Sequence, residues 1–532
     1  MSPVGVGGSR AGHEGAGGSL LVVDVGTSGV RAAVVRPDAT VTHVHHRTVL
    51  PESPGPGLVE VDAAAIASAV VEVANAALAD GGPVAGIGIA NQRATTVVWE
   101  RATGRPVAPG LGWQDLRTVG TCLTLQADGL RLAPNMSATK LAAILDAVDP
   151  DRSLANAGAL CFGTIETWVA WTLSGGAGGD RLHVTDPTNL AVTGLVRPGA
   201  DDGTTGGRAG GGETAAGEAA GGWVWDERVL DALRIPTAVL PRIVDSSGPV
   251  GEAVALPGSP TICGIVGDQQ ASLVGQGCTR AGLAKATFGT GGMLDLCTGP
   301  RPPTTLGRGP AGTFPIVAWQ RAGTPSWGVE AVMLSAGACV EWLRDDLGLL
   351  ASAEESASVA GACADTGDVW FVPALLGMGT PVWDFGARGT LVGITRGTGR
   401  PEVVRAVLEG VAHRGADLVE AAEADTGFVI ETLRVDGGMV ANDVFVAALA
   451  DAAGRPVEVS PVLEATTLGA GFLAGLSTGT WADEDDVAAA YAPARTVEPA
   501  RPAPERAARR ERWLAARERA TGTIPELSGI DF

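Results

Sequence analysis

Short apolar runs alternate with Gly- and Asp-bearing turns along most of the chain. Leu20–Val25 is apolar apart from Asp24 and predicts a buried strand. Gly26-Thr27-Ser28-Gly29 predicts a tight turn, and residues 31–35 resume a strand, so the first element is a β-hairpin. Residues 62–79 carry Ile66, Val70, Val73 and Leu78 near helical spacing behind Asp62, a good N-cap. Residues 84–90 predict a strand that runs into Asn91-Gln92-Arg93-Ala94-Thr95-Thr96, and 97–99 predict another. Arg93 therefore falls in a strand-connecting turn. A short helix is expected over 141–148, an amphipathic helix with a core-facing aromatic stripe over 163–171, and a polar turn over 185–190.

The second half repeats this grammar. The apolar run 261–266 delivers Asp268 into a turn ahead of a helix-like stretch, Gln269-Gln270-Ala271-Ser272-Leu273-Val274. Lys285 to Phe288, then Gly289-Thr290-Gly291-Gly292, is again strand and small-residue turn, in the manner of the first hairpin. That echo suggests two similar halves with a cleft between them. Residues 330–344 read as a long helix rich in small residues, 369–373 as a strand, 377–384 as a loop and 401–419 as an amphipathic helix. Leu433 to Asp436, Gly437-Gly438 and Asn442 read as strand, turn and helix start, and 466–475 as a helix packed through its small residues.

At 532 residues the chain exceeds one ordinary core. The expected division is a flexible extension over 1–19, an N-terminal domain over 20–255, a C-terminal domain over 256–485 and a peripheral segment over 486–532. Gly-rich stretches at 174–179 and about 196–222 are too poor in apolar bulk to offset their ordering entropy, and read as flexible insertions. No apolar run approaches the roughly 18 residues that cross a bilayer. A net charge of −21 repels nucleic acid and anionic membrane, so neither is an expected partner. It leaves room for a nucleotide, which turn amides and a bound cation can hold against a distant field. The seven Cys form no CxxC pair, which argues against a zinc or disulfide framework and for a reducing cytoplasm. His43, His45 and His46 read as an exposed polar strand before a metal site.

Each candidate residue has a plain alternative. Asp268 is either a helix cap or a base at the floor of a cleft. The turn after Asp24 is either an ordinary hairpin or a phosphate cradle, with Asp24 placed to hold magnesium through water. Trp113, followed by Asp115 and Arg117, is either a pocket wall for a hydroxylated ligand or a buried aromatic beside a local ion pair.

Taken together, Asn91-Gln92-Arg93 with Thr95 to Glu100, Gly267-Asp268-Gln269-Gln270, and Pro373 with Trp383-Asp384 and Ala387-Arg388-Gly389 resemble the FGGY family of carbohydrate kinases, and within it the glycerol kinases. The resemblance runs from about residue 20 to 479. It implies an α/β, two-domain, actin-like ATPase fold with ribonuclease-H-like halves and an interdomain cleft. It implies an ATP-dependent kinase acting on a hydroxyl of a small polyol or sugar, with Mg2+ and ATP as cofactors. By motif, Asp268 is the catalytic base. Arg93, Trp113, Asp268 and Gln269 hold the polyol. Thr27, Ser28, Gly29, Arg31, Thr290 and Gly291 lie at the nucleotide phosphates, and Gly438 and Asn442 at the adenosine end. Asp24 with Asp268 is the magnesium locus. An unperturbed aspartate titrates near 3.9, so Asp268 is expected to be ionised at neutral pH.

Two pocket positions depart from the glycerol kinase pattern: Ala94 stands where the family has Glu, and Asn135 where it has Tyr. Both changes enlarge or re-polarise the polyol site, and a longer alditol or a ketose is an alternative acceptor. A non-catalytic ATP-gated sensor on the same fold is the rival class, and a homo-oligomer stays open. Ala331 replaces a family Gly and would crowd the nucleotide slightly.

Overall fold

The computed structural model describes residues 17–179, 181–198, 223–303, 307–462 and 464–530. The expected extension over 1–19 and the insertion near 196–222 lie mostly outside them. At its near edge, Val196–Pro198 pairs antiparallel with Trp223–Trp225. The shorter stretch at 174–179 contains a 3₁₀ turn, Gly176–Gly178.

Thirteen strands form one sheet. In chain order they are β1 (Leu20–Val25), β2 (Gly29–Val35), β3 (Val41–Thr48), β4 (Gly86–Asn91), β5 (Ser247–Glu252), β6 (Thr261–Gly267), β7 (Ala284–Phe288), β8 (Gly292–Gly299), β9 (Phe314–Arg321), β10 (Thr324–Met333), β11 (Leu433–Asp436), β12 (Val457–Val459) and β13 (Arg495–Val497). Across the sheet they run β13-β12-β11-β7-β8-β10-β9-β5-β6-β4-β1-β2-β3. The hairpin β1–β2 is antiparallel, as its Gly-bearing turn predicts. β1, β4 and β6 are parallel, and β1 and β4 are almost wholly buried, as parallel strands covered on both faces must be.

Helices cover both faces. Helix α1 (Ala63–Gly81) begins at Asp62, whose carboxylate accepts from the Ala64 and Ala65 amides. By length and composition α1 is apolar enough to cross a bilayer, which short-run inspection missed. Its Ile66, Ala69, Val70, Val73 and Ala77 pack into the core under β1 and β2. Helix α2 (Ser137–Val148) starts four residues before the expected position, and α3 (Ile165–Leu173) buries the expected aromatic stripe, with Trp168 5.1 Å from Trp99. The polar turn expected over 185–190 is buried: Asp186 caps a helical turn, α4 (Pro187–Leu190).

Helix α5 (Asp268–Gly275) follows β6. Helix α6 (Gly337–Asp345), α7 (Arg400–Thr426), α8 (Asp443–Ala453), α9 (Ala465–Thr478) and α10 (Ala503–Glu518) are the longer helices that follow in the second half. The helix expected over 330–344 is corrected. Glu330 to Met333 continue β10, and the helix starts only at Gly337. Trp327, Val329, Ala331 and Met333 alternate as a strand's inner face does.

Helices α5 and α9 touch backbone to backbone. A Cβ on Gly469 would lie 1.7 Å from the Ala271 carbonyl, and one on Gly275 1.9 Å from that of Ala465. The small residues of α9 exist for this approach. Strand β6 lies beyond the expected boundary near 255, yet it pairs with β4, and α9 shares a core with Leu20, Val22 and Ala90 of the first half. The C-terminal α10 lies outermost and is docked through one face: Trp513 is fully buried, and Asp417 of α7 holds Arg510, Arg517 and the Trp513 indole.

Candidate active site

Three parallel strands end at one level. Asp24 of β1 stands opposite Ala90 of β4, and Ala90 opposite Val266 of β6. Their carboxyl ends thus bring together Asp24, the Asn91-Gln92-Arg93 turn and Asp268, as open α/β sheets do at their ligand sites. Asp268 is the first residue of α5, and the cap position is Gly267. Its Oδ1 accepts only from the adjacent Gln269 amide, at 2.8 Å, so Asp268 is not the helix cap. Gly267 is required by packing: a Cβ there would meet Arg93 Cγ and Cδ at 2.8 Å. The Gly267 amide donates to Thr188 Oγ1 at 2.8 Å, and the Thr188 hydroxyl in turn donates to Asp186.

Asp268 is not the unperturbed carboxylate expected. Burial raises its pKa, against the pull of Arg93, the Gln269 amide and Lys285, and Glu330 adds to the rise. Arg93 Nε lies 3.7 Å from Asp268 Oδ1. Asp24 is pushed up to about 7, first by burial, against Arg31, with Asp268 adding to the rise. Two carboxylates whose proton affinities burial raises, with Asp268 adding to the rise at Asp24, fit a divalent cation, which would relieve both. No cluster of three or more ligating side chains occurs among the described residues. A magnesium ion here would complete its shell with water and phosphate, as that ion commonly does.

Of the residues expected at the polyol, Trp113 does reach the first hairpin: its indole N–H donates to Thr27 Oγ1 at 3.2 Å, and its amide to Thr95 Oγ1 at 3.2 Å. Asp115 and Arg117 form the local ion pair of the alternative reading, at 2.9 Å, with Asp115 also accepting from the Val59 amide. Ala94 is buried with φ of +62°, and its carbonyl accepts from Ser137 Oγ at 3.0 Å. Asn135 is exposed, and its carbonyl is held at 3.1 Å by Lys140 Nζ, which also holds the Trp113 carbonyl at 3.2 Å. Lys140 is fully buried, and burial brings its pKa down to about 7. It ties two walls of the candidate pocket together. Gln269 Oε1 accepts from Lys285 Nζ at 2.9 Å, so its amide N–H groups are what it can offer a ligand.

In the first turn expected at the nucleotide, the Gly26 amide closes the hairpin on the Gly29 carbonyl at 3.0 Å and leaves Ser28 exposed. Arg31 is the third residue of the facing strand, opposite Asp24. The second small-residue turn is braced by α6: the Ala336 and Ala338 amides donate to the Thr290 carbonyl at 2.9 and 3.1 Å. Thr290 is exposed, and a Cβ on Gly291 would press on the Met333 carbonyl at 2.9 Å. Gly437, at φ +93°, lies so close that a Cβ would meet the Phe288 carbonyl at 2.5 Å, while the space over Gly438 is open. Asn442 is committed structurally: its side chain caps α8 and donates to Ser356 Oγ at 2.9 Å.

Several residues of this site escaped sequence reading. Glu330, misassigned to a helix, meets Arg93 Nη2 at 2.6 Å. Lys285 and Asp295, 2.8 Å apart, sit fully buried on neighbouring strands. Glu166 and Asp186 form a buried carboxylate network through Asn91 and Asn189. The period-two alternation of β10 was the available signal for Glu330. The others carry no local signal.

The N-terminal domain of the FGGY family of carbohydrate kinases matches residues 19–197, and the C-terminal domain matches 284–478. The glycerol kinase of Bordetella parapertussis is 40% identical over 530 residues, covering 96% of this chain and 98% of its own length. That of Aromatoleum aromaticum is 40% identical over 521 residues, covering 95% and 99%. Among solved structures, Plasmodium falciparum glycerol kinase with ADP superposes with a TM-score of 0.83 at 26% identity, over 94% of this chain and 98% of that one. Xylulose kinase from Lactobacillus acidophilus shares the fold, with a TM-score of 0.79 at 19% identity over 96% and 99%.

Proposed function

Because the chain belongs to the FGGY family of carbohydrate kinases and is an ATP-dependent sugar or polyol kinase, we propose that Asp268 is its catalytic base and that its acceptor is glycerol or a related short polyol. The observation that carries this reading is the meeting of Asp24, Arg93 and Asp268 at the carboxyl ends of three parallel strands. Asp268 takes the proton of the attacking hydroxyl as the new O–P bond forms and the bond to ADP breaks. A carboxylate whose proton affinity burial has raised suits that task better than one at its ordinary value. Arg93, with Nη1 buried and unpartnered, donates to a polyol hydroxyl. Trp113 forms one wall, and the Gln269 amide group donates from another. Thr27, Ser28, Gly29 and Arg31 from one turn, with Thr290 and Gly291 from the other, receive the phosphates, and Gly438 leaves room for the adenosine. Asp24, with Asp268 beside it, holds magnesium, which when bound neutralises phosphate charge.

Ala94 and Asn135 set the acceptor's size. A buried methyl group offers no acceptor to a hydroxyl, and the exposed Asn135 amide can read one more hydroxyl than glycerol carries. The relatives named glycerol kinase favour glycerol itself within this range. Seven unpaired thiols support a reducing, cytoplasmic location.

The test is ADP release with glycerol, erythritol, longer alditols and ketoses. A kcat/KM for glycerol far above all others removes the enlarged acceptor. Asp268→Asn is expected to lower polyol-dependent ADP formation by about 10²–10⁴-fold or more while ATP still binds. Unchanged turnover in that variant overturns the base assignment.

A further inference from the structure

Arg93 comes from the turn after β4, in the first half of the chain. Glu330 comes from β10, in the second, 237 positions away. Their side chains are each only 11% exposed, and Nη2 lies 2.6 Å from Oε2. The contact therefore joins the two halves of the chain, in a setting where an unpaired charge is expensive.

Glu330 has no other cation to turn to among the ion pairs of the described residues. On the neighbouring strand β8 the residue directly opposite it is Asp295. The cation of that rung, Lys285, is occupied by Asp295 at 2.8 Å, Gln269 Oε1 at 2.9 Å and Thr287 Oγ1 at 3.0 Å. Two carboxylates thus stand side by side with one local lysine, and the second counter-ion is supplied by the opposite half. The three nitrogens of Arg93 then divide. Nη2 is held by Glu330, Nε faces Asp268 at 3.7 Å, and Nη1 is buried without a partner.

We infer that Glu330 is a positioning residue: it clamps Arg93 across the cleft so that Nη1 meets a polyol hydroxyl beside Asp268, and so makes polyol recognition depend on closure of the two halves. The inference rests on the kinase reading given above. A guanidinium held at one end by a carboxylate loses its rotational freedom, and its free N–H is aimed before the substrate arrives. Without Glu330, Arg93 is free to swing onto Asp268 and occupy the acceptor side of the base.

The experiment is steady-state kinetics of Glu330→Gln, Arg93→Lys and the double variant, in the full chain, with glycerol and ATP varied separately. Glu330→Gln is expected to lower kcat/KM for the polyol by about 10–100-fold and to leave KM for ATP within about twofold. The double variant is expected to be no worse than the poorer single one, because each change breaks the same pair. Glu330→Asp keeps the charge and is expected to recover part of the loss. If Glu330→Gln does not fold, Glu330→Asp and Arg93→Lys, alone and together, carry the same comparison. Three results overturn the inference: wild-type polyol kinetics in Glu330→Gln, equal losses on the polyol and ATP sides with a lowered melting temperature, or single effects that multiply in the double variant. A normal Glu330→Gln beside an inactive Asp268→Asn refutes the clamp alone. An active Asp268→Asn refutes the base assignment on which the clamp rests.

Discussion

Replacing Glu166 by Gln separates the ionisation of a buried carboxyl from its hydrogen bonding. Glu166 is fully buried on α3. One oxygen accepts from the hydroxyls of Thr164, Thr167 and Thr185, and the other from Asn91 Nδ2 at 3.2 Å. No cation pairs with it or with its neighbour Asp186 among the described residues, and the carboxyl is pushed from its usual 4.5 up to about 7, burial being the largest cause. The folded state therefore keeps a proton that the unfolded chain releases. Stability from this group is whole below pH 4.5 and is lost as pH rises through about 7. At about 1.4 kcal/mol per tenfold change in proton affinity, the loss approaches ~3 kcal/mol. Gln has the same shape and does not ionise. Its oxygen can accept from Asn91 while two of the three hydroxyls rotate to accept from its two amide N–H groups. Urea denaturation followed by tryptophan fluorescence is the assay, because Trp168 and Trp171 lie on the same helix and Trp99 packs on both. At pH 5 the two proteins should be similar. Between pH 5 and 8.5 the variant should gain on the wild type by up to ~3 kcal/mol, with the shared slope left to Asp186, whose proton affinity burial also raises. A difference that stays constant across that range would refute the reasoning.

Two further perturbations test the frame around the site. Gly469→Ala puts a methyl group 1.7 Å from the Ala271 carbonyl of α5, the helix that begins at Asp268. It should cost about 3 kcal/mol or more and lower kcat in whatever protein still folds; an unchanged urea midpoint would show that α5 and α9 can separate cheaply. Asp417→Asn removes the charge that holds Arg414, Arg510 and Arg517, and should cost about 3–5 kcal/mol, because three guanidiniums then lose a common partner. Those cations outweigh burial and hold Asp417 down at about 2, so its contribution is present above pH 4 and fades only as pH falls through about 2. Limited proteolysis should release the segment after residue 500 in the variant at neutral pH, and resistance equal to the wild type would contradict the clamp.

Local chemistry made much of this protein legible in one dimension. The hairpin Leu20 to Val35, the turn Asn91 to Arg93, the apolar run ending at Gly267 and the small-residue helix 465–478 each carry a signal within a dozen residues, through strand period, turn residues or spacing. The resemblance of those turns to a kinase family depended on their order along the chain, which folding does not alter. What folding alone decided is everything that joins distant positions. The period-two alternation before Glu330 competes with Glu-Ala-Val-Met-Leu-Ser-Ala, which suits a helix as well; nothing near Glu330 names Asp295 as its neighbour, and nothing near Arg93 names its partner on β10. The proton affinities of Asp24, Asp268 and Glu166 likewise follow from how much water the packed structure removes and which charges it brings close. A sequence lists the ionisable groups, but desolvation and Coulomb energy depend on distances that exist only once the sheet has closed.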